Sequence, residues 1–199
     1  MGELPTYDEK SALLVVDVQN DFADPNGSLH VEGGEQILPL VNHEIDRATG
    51  AGAFVVYTQD WHPPSTPHFV IHGGKWPVHC VRDTWGADLH PELKVVGDRI
   101  RKATGPEDGY SGFSVEHLPS GDRRGTGLDD LLRSRAIDRI VIVGLATDYC
   151  VKETALDGLR LGYDVTVVRD AVGAVELQPG DGATALAAIS DAGARLAGR

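Results

Sequence analysis

The sequence predicts an α/β fold: a single doubly wound domain over residues 1–199, with a mainly parallel sheet of five to six strands and helices on both faces. Three observations predict it. Short apolar runs lack the in–out alternation of a half-exposed strand, which suits strands covered on both faces. Stripes of apolar residues at helical spacing separate those runs. And 199 residues of 41% hydrophobic composition suffice for one core, since folding should reduce the surface to about 9,000 Å² from about 31,000 Å² for the extended chain.

The elements follow in order. Ser11–Val18 (SALLVVDV) is a β-branched apolar run, too short for a solitary buried helix. Glu35–Thr49 places Ile37, Leu38, Val41 and Ile45 on one helical stripe. Ala53–Gln59 is the second strand, and a further strand is expected near Val95–Lys102. Leu128, Leu131 and Leu132 mark a helix over Leu128–Arg135, followed by the strand Arg139–Gly144. Val151, Ala155, Leu156 and Leu159 share a stripe within Tyr149–Leu161, before the strand Asp164–Arg169. An Ala-rich helix covers Gly182–Ala194, and the last residues are expected to add a short edge strand. Trp61–His90 breaks the rhythm, with four prolines, five histidines and no clean period. A loop that long in a compact chain, rich in aromatic and imidazole groups, reads as a site-building loop.

Composition narrows the function. Thirty acidic residues against eighteen basic ones give a net charge of −12, a field that repels phosphate backbones and anionic lipid surfaces. No nucleic acid and no membrane are expected as partners. No apolar run approaches the roughly 20 residues a membrane helix needs. The opening MGELPTYDEK has no signal-peptide core. Two cysteines make no disulfide framework, and the expected location is cytoplasmic.

In a doubly wound sheet, ligands sit beyond the carboxyl ends of the strands, where strand order reverses. Asp17 ends the first strand, Asp60 and His62 follow the second, Lys102 ends the third, and Cys150 follows the fourth. Separate stretches thus bring an acid, an amine, a thiol and imidazoles to one rim. Asp17 reads as a general base whose pKa burial raises and a cation would lower, or as a capping carboxylate. Asp148 can cap a helix whose first turn holds Cys150, where the helix's positive end favours thiolate and free amides can bind an oxyanion. The alternative is a buried packing cysteine, which is the reading for Cys80. Lys102 would stabilise the thiolate and hold the carboxylate, unless it is a solvated charge. Asp60, His62, His68 and His79 offer one carboxylate and three imidazoles, a first shell for Zn²⁺, Fe²⁺ or Mn²⁺ or simply a His-rich surface. His72 is a replacement ligand or a loop tip, and His30, His43, His90 and His117 read as solvated or locally capping.

Taken together, VVDVQNDF with Asp17, Asp60-Trp61-His62 followed by His68-Phe69, and WPVHC with His79 resemble the nicotinamidase/pyrazinamidase family, within the isochorismatase-like cysteine hydrolases. KATGPEDGYSGF with Lys102, GLATDYCVKETALD with Cys150, and RDAVGAV extend the resemblance from about Ser11 to Val175. It implies a triad of Asp17, Lys102 and Cys150, and one divalent metal ion held by Asp60, His62, His68 and His79. It implies a cis peptide at Leu145–Ala146, turning the Ala146 N–H toward an oxyanion beside that of Cys150. Phe22, Trp76 and Tyr110 match substrate-pocket walls, and Tyr149 stands where relatives differ, which bears on substrate breadth. The implied reaction is hydrolysis of nicotinamide, and of pyrazinamide, through a cysteine thioester; the small amide is the expected partner, with a homo-oligomer left open. A carbamoyl or ureido amidase of the same superfamily, isochorismatase-type ether hydrolysis and a non-catalytic metal-binding module are the competing readings. Cys150 disfavours ether hydrolysis.

Overall fold

The computed structural model describes residues 4–198. Six parallel strands form the main sheet, in the order β3-β2-β1-β7-β8-β9. They are β1 (Ser11–Val16), β2 (Phe54–Asp60), β3 (Asp98–Lys102), β7 (Arg139–Leu145), β8 (Asp164–Gly173) and β9 (Arg195–Ala197). β1 is buried along its whole length, which accounts for its unbroken apolar run. Its neighbours leave on opposite sides, β2 and β3 on one and β7 to β9 on the other. The strand order therefore reverses between β1 and β7, the crevice where a doubly wound sheet binds its ligands.

Alternate residues of each strand enter two cores. Leu13, Val15, Val55, Tyr57, Val141 and Val143 pack against Leu38, Val41 and Ile45 of α2 (Leu38–Gly50). Ala12, Leu14, Val56, Ile140 and Ile142 pack on the other face, against α3 (Leu128–Ser134), α4 (Lys152–Arg160) and α5 (Asp181–Asp191) through Leu128, Leu132, Ala155 and Ile189. A short α1 (Asn20–Ala23) follows β1. The folded surface is 8930 Å².

The elements differ from expectation in several places: α1 was not expected, and β8 runs on to Gly173 rather than ending at Arg169. The third strand begins at Asp98 rather than Val95, and Val96 is exposed. Just before that strand the chain closes on β2 at Gly97, where a Cβ would sit 1.8 Å from the Val55 carbonyl oxygen. A small antiparallel sheet of β4 (Glu107–Asp108), β5 (Ser114–His117) and β6 (Asp122–Gly125) lies between β3 and α3, where no strand was expected. Residues 147–151 form a wide π-type turn before α4. Trp61–His90 is loop apart from one-turn 3₁₀ segments at Val70–His72 and Trp85–Ala87.

Candidate active site

Three strand ends build the first half of the site. Asp17 leaves β1 with φ 47°, a left-handed conformation that Asp tolerates better than most residues. Thr58 Oγ1 donates to Asp17 Oδ1 at 2.6 Å. Asp60 and Lys102 are register partners across β2 and β3, and the Lys102 ammonium contacts the Asp60 Oδ1. The same ammonium lies 2.9 Å from Asp17 Oδ2 and 3.6 Å from Cys150 Sγ, and donates to the Gly109 carbonyl. Asp17 and Lys102 are at most 1% exposed, so one ammonium serves two carboxylates and a thiol in a dry setting.

Burial sets the protonation of this group. It raises the Asp17 carboxyl above its usual range, more than Lys102 lowers it, and Asp60 adds to the rise. Burial raises the Cys150 thiol well above its ordinary value, outweighing the pull of Lys102. The expectation that a helix start favours thiolate is therefore corrected: desolvation dominates. Burial works against ionising Asp60 too, but the Lys102 ammonium, with the His62 and His79 rings beside it, holds it below the usual carboxylate range. Lys102 is held well above its ordinary value, because Asp17 and Asp60 outweigh the burial that would lower it.

The turn carrying Cys150 depends on close backbone approach. Gly144 has φ +113°, and a Cβ there would lie 2.1 Å from the Val16 carbonyl oxygen. The Leu145–Ala146 peptide is cis, and the turn opens at Ala146 with no side-chain cap. Asp148 does not cap it, contrary to the sequence reading. Asp148 lies within the turn, and its carboxylate accepts from Val175 N at 2.9 Å and Glu176 N at 3.0 Å, tying the turn to the segment after β8.

The second half is a nest of imidazoles. His62, His68 and His79 are buried, each with one ring nitrogen within 4.8 Å of those of the other two. His62 and His68 rings stack at 4.5 Å. Asp60 Oδ2 faces His62 Nε2 at 3.7 Å and His79 Nε2 at 3.9 Å. Neither buried nitrogen of His62 has a hydrogen bond, an expensive arrangement unless something else satisfies it. Converging nitrogens with a carboxylate beside them suit a metal ion of the Zn, Fe or Mn type. Asp17, Asp60 and Cys150 also converge within 4.8 Å, but the Lys102 ammonium already stands among them and would repel a cation. Burial lowers His79 to about 4 against the opposing pull of Asp60, leaving it neutral at pH 7.

Both halves open into one pocket. Asp60, His68, His79, Ala146 and Cys150 line it together with Phe22, Trp76 and Tyr110. Trp76 Nε1 donates to Tyr110 Oη at 2.9 Å, and Tyr149 meets Trp76 edge-on at 4.9 Å. Leu29 and Val175 complete the wall; sequence reasoning did not single them out. It also missed Gln19, whose Oε1 accepts from Asp60 N at 2.8 Å and whose Nε2 donates to the Asp60 carbonyl at 2.8 Å. Cys80 is buried away from this pocket, with its N–H donating to Asp21. His72 is exposed and contacts Ser65, so it is no replacement ligand. His30 and His117 have local partners in Glu35 and Ser120.

A doubly wound sheet with an acid, an amine and a thiol at its switch point defines a class of α/β proteins built for nucleophilic chemistry. The chain belongs to the isochorismatase domain family, whose model matches residues 11–198. The Escherichia coli (strain K12) nicotinamidase is 41% identical over 203 aligned positions, covering 93% of each chain. The zinc complex of Pyrococcus horikoshii pyrazinamidase superposes with a TM-score of 0.85 at 40% identity, over 96% of this chain and 99% of that one. The nicotinate complex of PnC1 from L. infantum gives a TM-score of 0.87 at 36% identity, over 98% and 96%. Among the described residues, no helix is long and apolar enough to cross a membrane.

Proposed function

We propose that this protein is an amidase that hydrolyses nicotinamide to nicotinate and ammonia, and pyrazinamide likewise, through a thioester on Cys150. One observation carries the reading: the buried thiol and two imidazoles of the nest, His68 and His79, line the same aromatic-walled pocket, and the relatives at this identity are nicotinamidases and a pyrazinamidase.

Asp17 takes the thiol proton as Cys150 Sγ bonds to the amide carbon. The Ala146 and Cys150 N–H groups bind the oxyanion, and Lys102 stabilises the sulfur as it gains charge. Asp17 then hands the proton to the departing nitrogen, which leaves as ammonia. Next it takes a proton from water, whose oxygen attacks the thioester carbon. Collapse releases the acid, and the sulfur recovers the proton from Asp17. Phe22, Trp76 and Tyr110 hold the ring. A divalent ion of the Zn, Fe or Mn type, held by Asp60, His62, His68 and His79, would fix the pyridine nitrogen and so orient the carbonyl toward the sulfur. The chemistry fits a reducing, cytoplasmic setting, since both cysteines are free and a nucleophilic thiol must stay reduced.

Ammonia release from nicotinamide, measured before and after chelation, tests the proposal. Cys150→Ala should lower turnover by at least about 10³-fold while bound metal is retained. A variant that still turns over would overturn the nucleophile assignment.

A further inference from the structure

Two of the three imidazoles have an oxygen close to Nδ1. His79 Nδ1 lies 2.7 Å from the Pro77 carbonyl oxygen. A carbonyl only accepts, so the hydrogen sits on Nδ1 and the lone pair on Nε2. His68 Nδ1 lies 3.1 Å from Asp108 Oδ1, close but without an aligned hydrogen bond; a carboxylate only accepts, so an Nδ1–H turned onto it would leave the lone pair on His68 Nε2.

Asp108 is well placed for this. It sits on β4, paired with Glu116 of β5, and the next residue's carbonyl accepts from the Lys102 ammonium. Tyr110, one residue further, lines the pocket. The backbone that carries Asp108 is thus held by β5 and, through the two residues that follow it, by the site itself. Asp108 Oδ1 is buried with no aligned hydrogen bond to any group, which makes the imidazole N–H beside it the donor that would relieve its desolvation.

We propose that Asp108 is the positioning residue for His68: its carboxylate fixes the His68 ring orientation and the Nδ1–H tautomer, and so presents Nε2 to the metal. The small antiparallel sheet then has a task, which is to carry this carboxylate to the imidazole nest. The inference rests on the metal reading above and extends it, because it assigns a residue that contacts neither metal nor substrate. A carboxylate behind a ligating imidazole also raises its basicity as a ligand.

The test uses the full-length chain and zinc as the probe. Zinc affinity is measured by competition with a chromophoric chelator for the wild type, Asp108→Ala, Asp108→Asn, His68→Ala, His62→Ala and the Asp108→Ala/His68→Ala double variant. Circular dichroism checks folding, and the visible spectrum of the Co²⁺-loaded protein reports ligand geometry. Asp108→Ala should weaken zinc binding about 10- to 100-fold and change the Co²⁺ spectrum. Asp108→Asn should lose less, because its amide oxygen still accepts from Nδ1–H. In the His68→Ala background, Asp108→Ala should cost nothing further. Should Asp108→Ala not fold, Asp108→Asn in both backgrounds makes the same comparison. Unchanged zinc affinity in the Asp108 variants, or an equal loss with and without His68, overturns the inference. If His62→Ala loses zinc while the Asp108 variants keep it, only this inference fails. If the wild type itself binds no zinc, Co²⁺ or other divalent ion, the metal reading fails and takes the inference with it.

Discussion

Lys102 contacts one oxygen of Asp60 while the other oxygen of the same carboxylate faces His62 and His79. That contact joins the thiol half of the site to the imidazole half. Lys102 also reaches Asp17 at 2.9 Å, so a single cation balances two buried acids. Replacing it with a neutral side chain of similar length leaves that charge stranded. Lys102→Met should destabilise the fold by about 3–5 kcal/mol and abolish turnover. Denaturant unfolding of the variant beside the wild type reads the first effect, and a stability change under about 1 kcal/mol would show that the carboxylates find other partners.

The protonation of the site predicts its pH profile. Turnover needs Asp17 as carboxylate and Cys150 as thiol, so that one proton is available to travel to the leaving nitrogen. Asp17 is raised, chiefly by burial, so as pH falls the carboxylate gains its proton early and activity is lost above the ordinary Asp range near about 3.9. Cys150 is raised well above its usual value, again chiefly by burial, so the alkaline limb lies above the ordinary thiol range near about 8.5. Both limbs are properties of the coupled site. The kcat/KM profile for nicotinamide measures them in the free enzyme, and iodoacetamide should alkylate Cys150 slowly at pH 7. Rapid alkylation at neutral pH would mean a resting thiolate.

Gly144 controls where that thiol sits. It pairs with Val16 across β1 and β7, and it has both a positive φ and no room for a Cβ against the Val16 carbonyl. Gly144→Ala must push the two strands apart at the point where the site is assembled. A loss of more than about 1 kcal/mol is expected, with a fall in kcat that exceeds any fall in zinc content, since the imidazole nest hangs from β2 and its loop. Zinc content and kcat falling in proportion would instead indicate general unfolding.

The parts legible in the sequence share one property: they are written in side chains that meet a uniform environment. β1, β2 and β7 are buried almost throughout, so their apolar runs identify them, and strand ends then locate Asp17, Asp60, Lys102 and Cys150. β5 and β6 left no such trace. Their residues are half-buried or exposed and mostly polar, and backbone pairing from Ser114↔Gly125 to His117↔Asp122 holds them together. The links between Asp148 and the 175–176 backbone, and between Gln19 and the Asp60 backbone, were equally silent. A side chain that bonds to distant main chain imposes no residue type on its partner, so no pattern records it. The thiol's protonation was misread for a related reason: a helix start is visible in sequence, whereas the depth of burial that outweighs it is not.

Gln19 is where such a silent contact should have the largest consequence. Its amide closes a two-point bond with Asp60, accepting from the N–H and donating to the carbonyl, and its Nε2 also donates to the Ala87 carbonyl at 2.9 Å. Gln19 is fully buried, so water cannot replace these bonds. In Gln19→Leu the Asp60 N–H loses that acceptor, at a cost of about 1–3 kcal/mol, whereas the Ala87 carbonyl keeps the Gln59 amide as a donor. The damage therefore concentrates on Asp60, the residue between the two halves. Zinc should dissociate faster from Gln19→Leu than from the wild type, and the acid limb of kcat/KM should shift as Lys102 redistributes between Asp17 and a displaced Asp60. Zinc release timed with a chelator, together with the pH profile, distinguishes this from a simple stability defect, which would lower melting temperature and leave both readouts of the folded fraction unchanged.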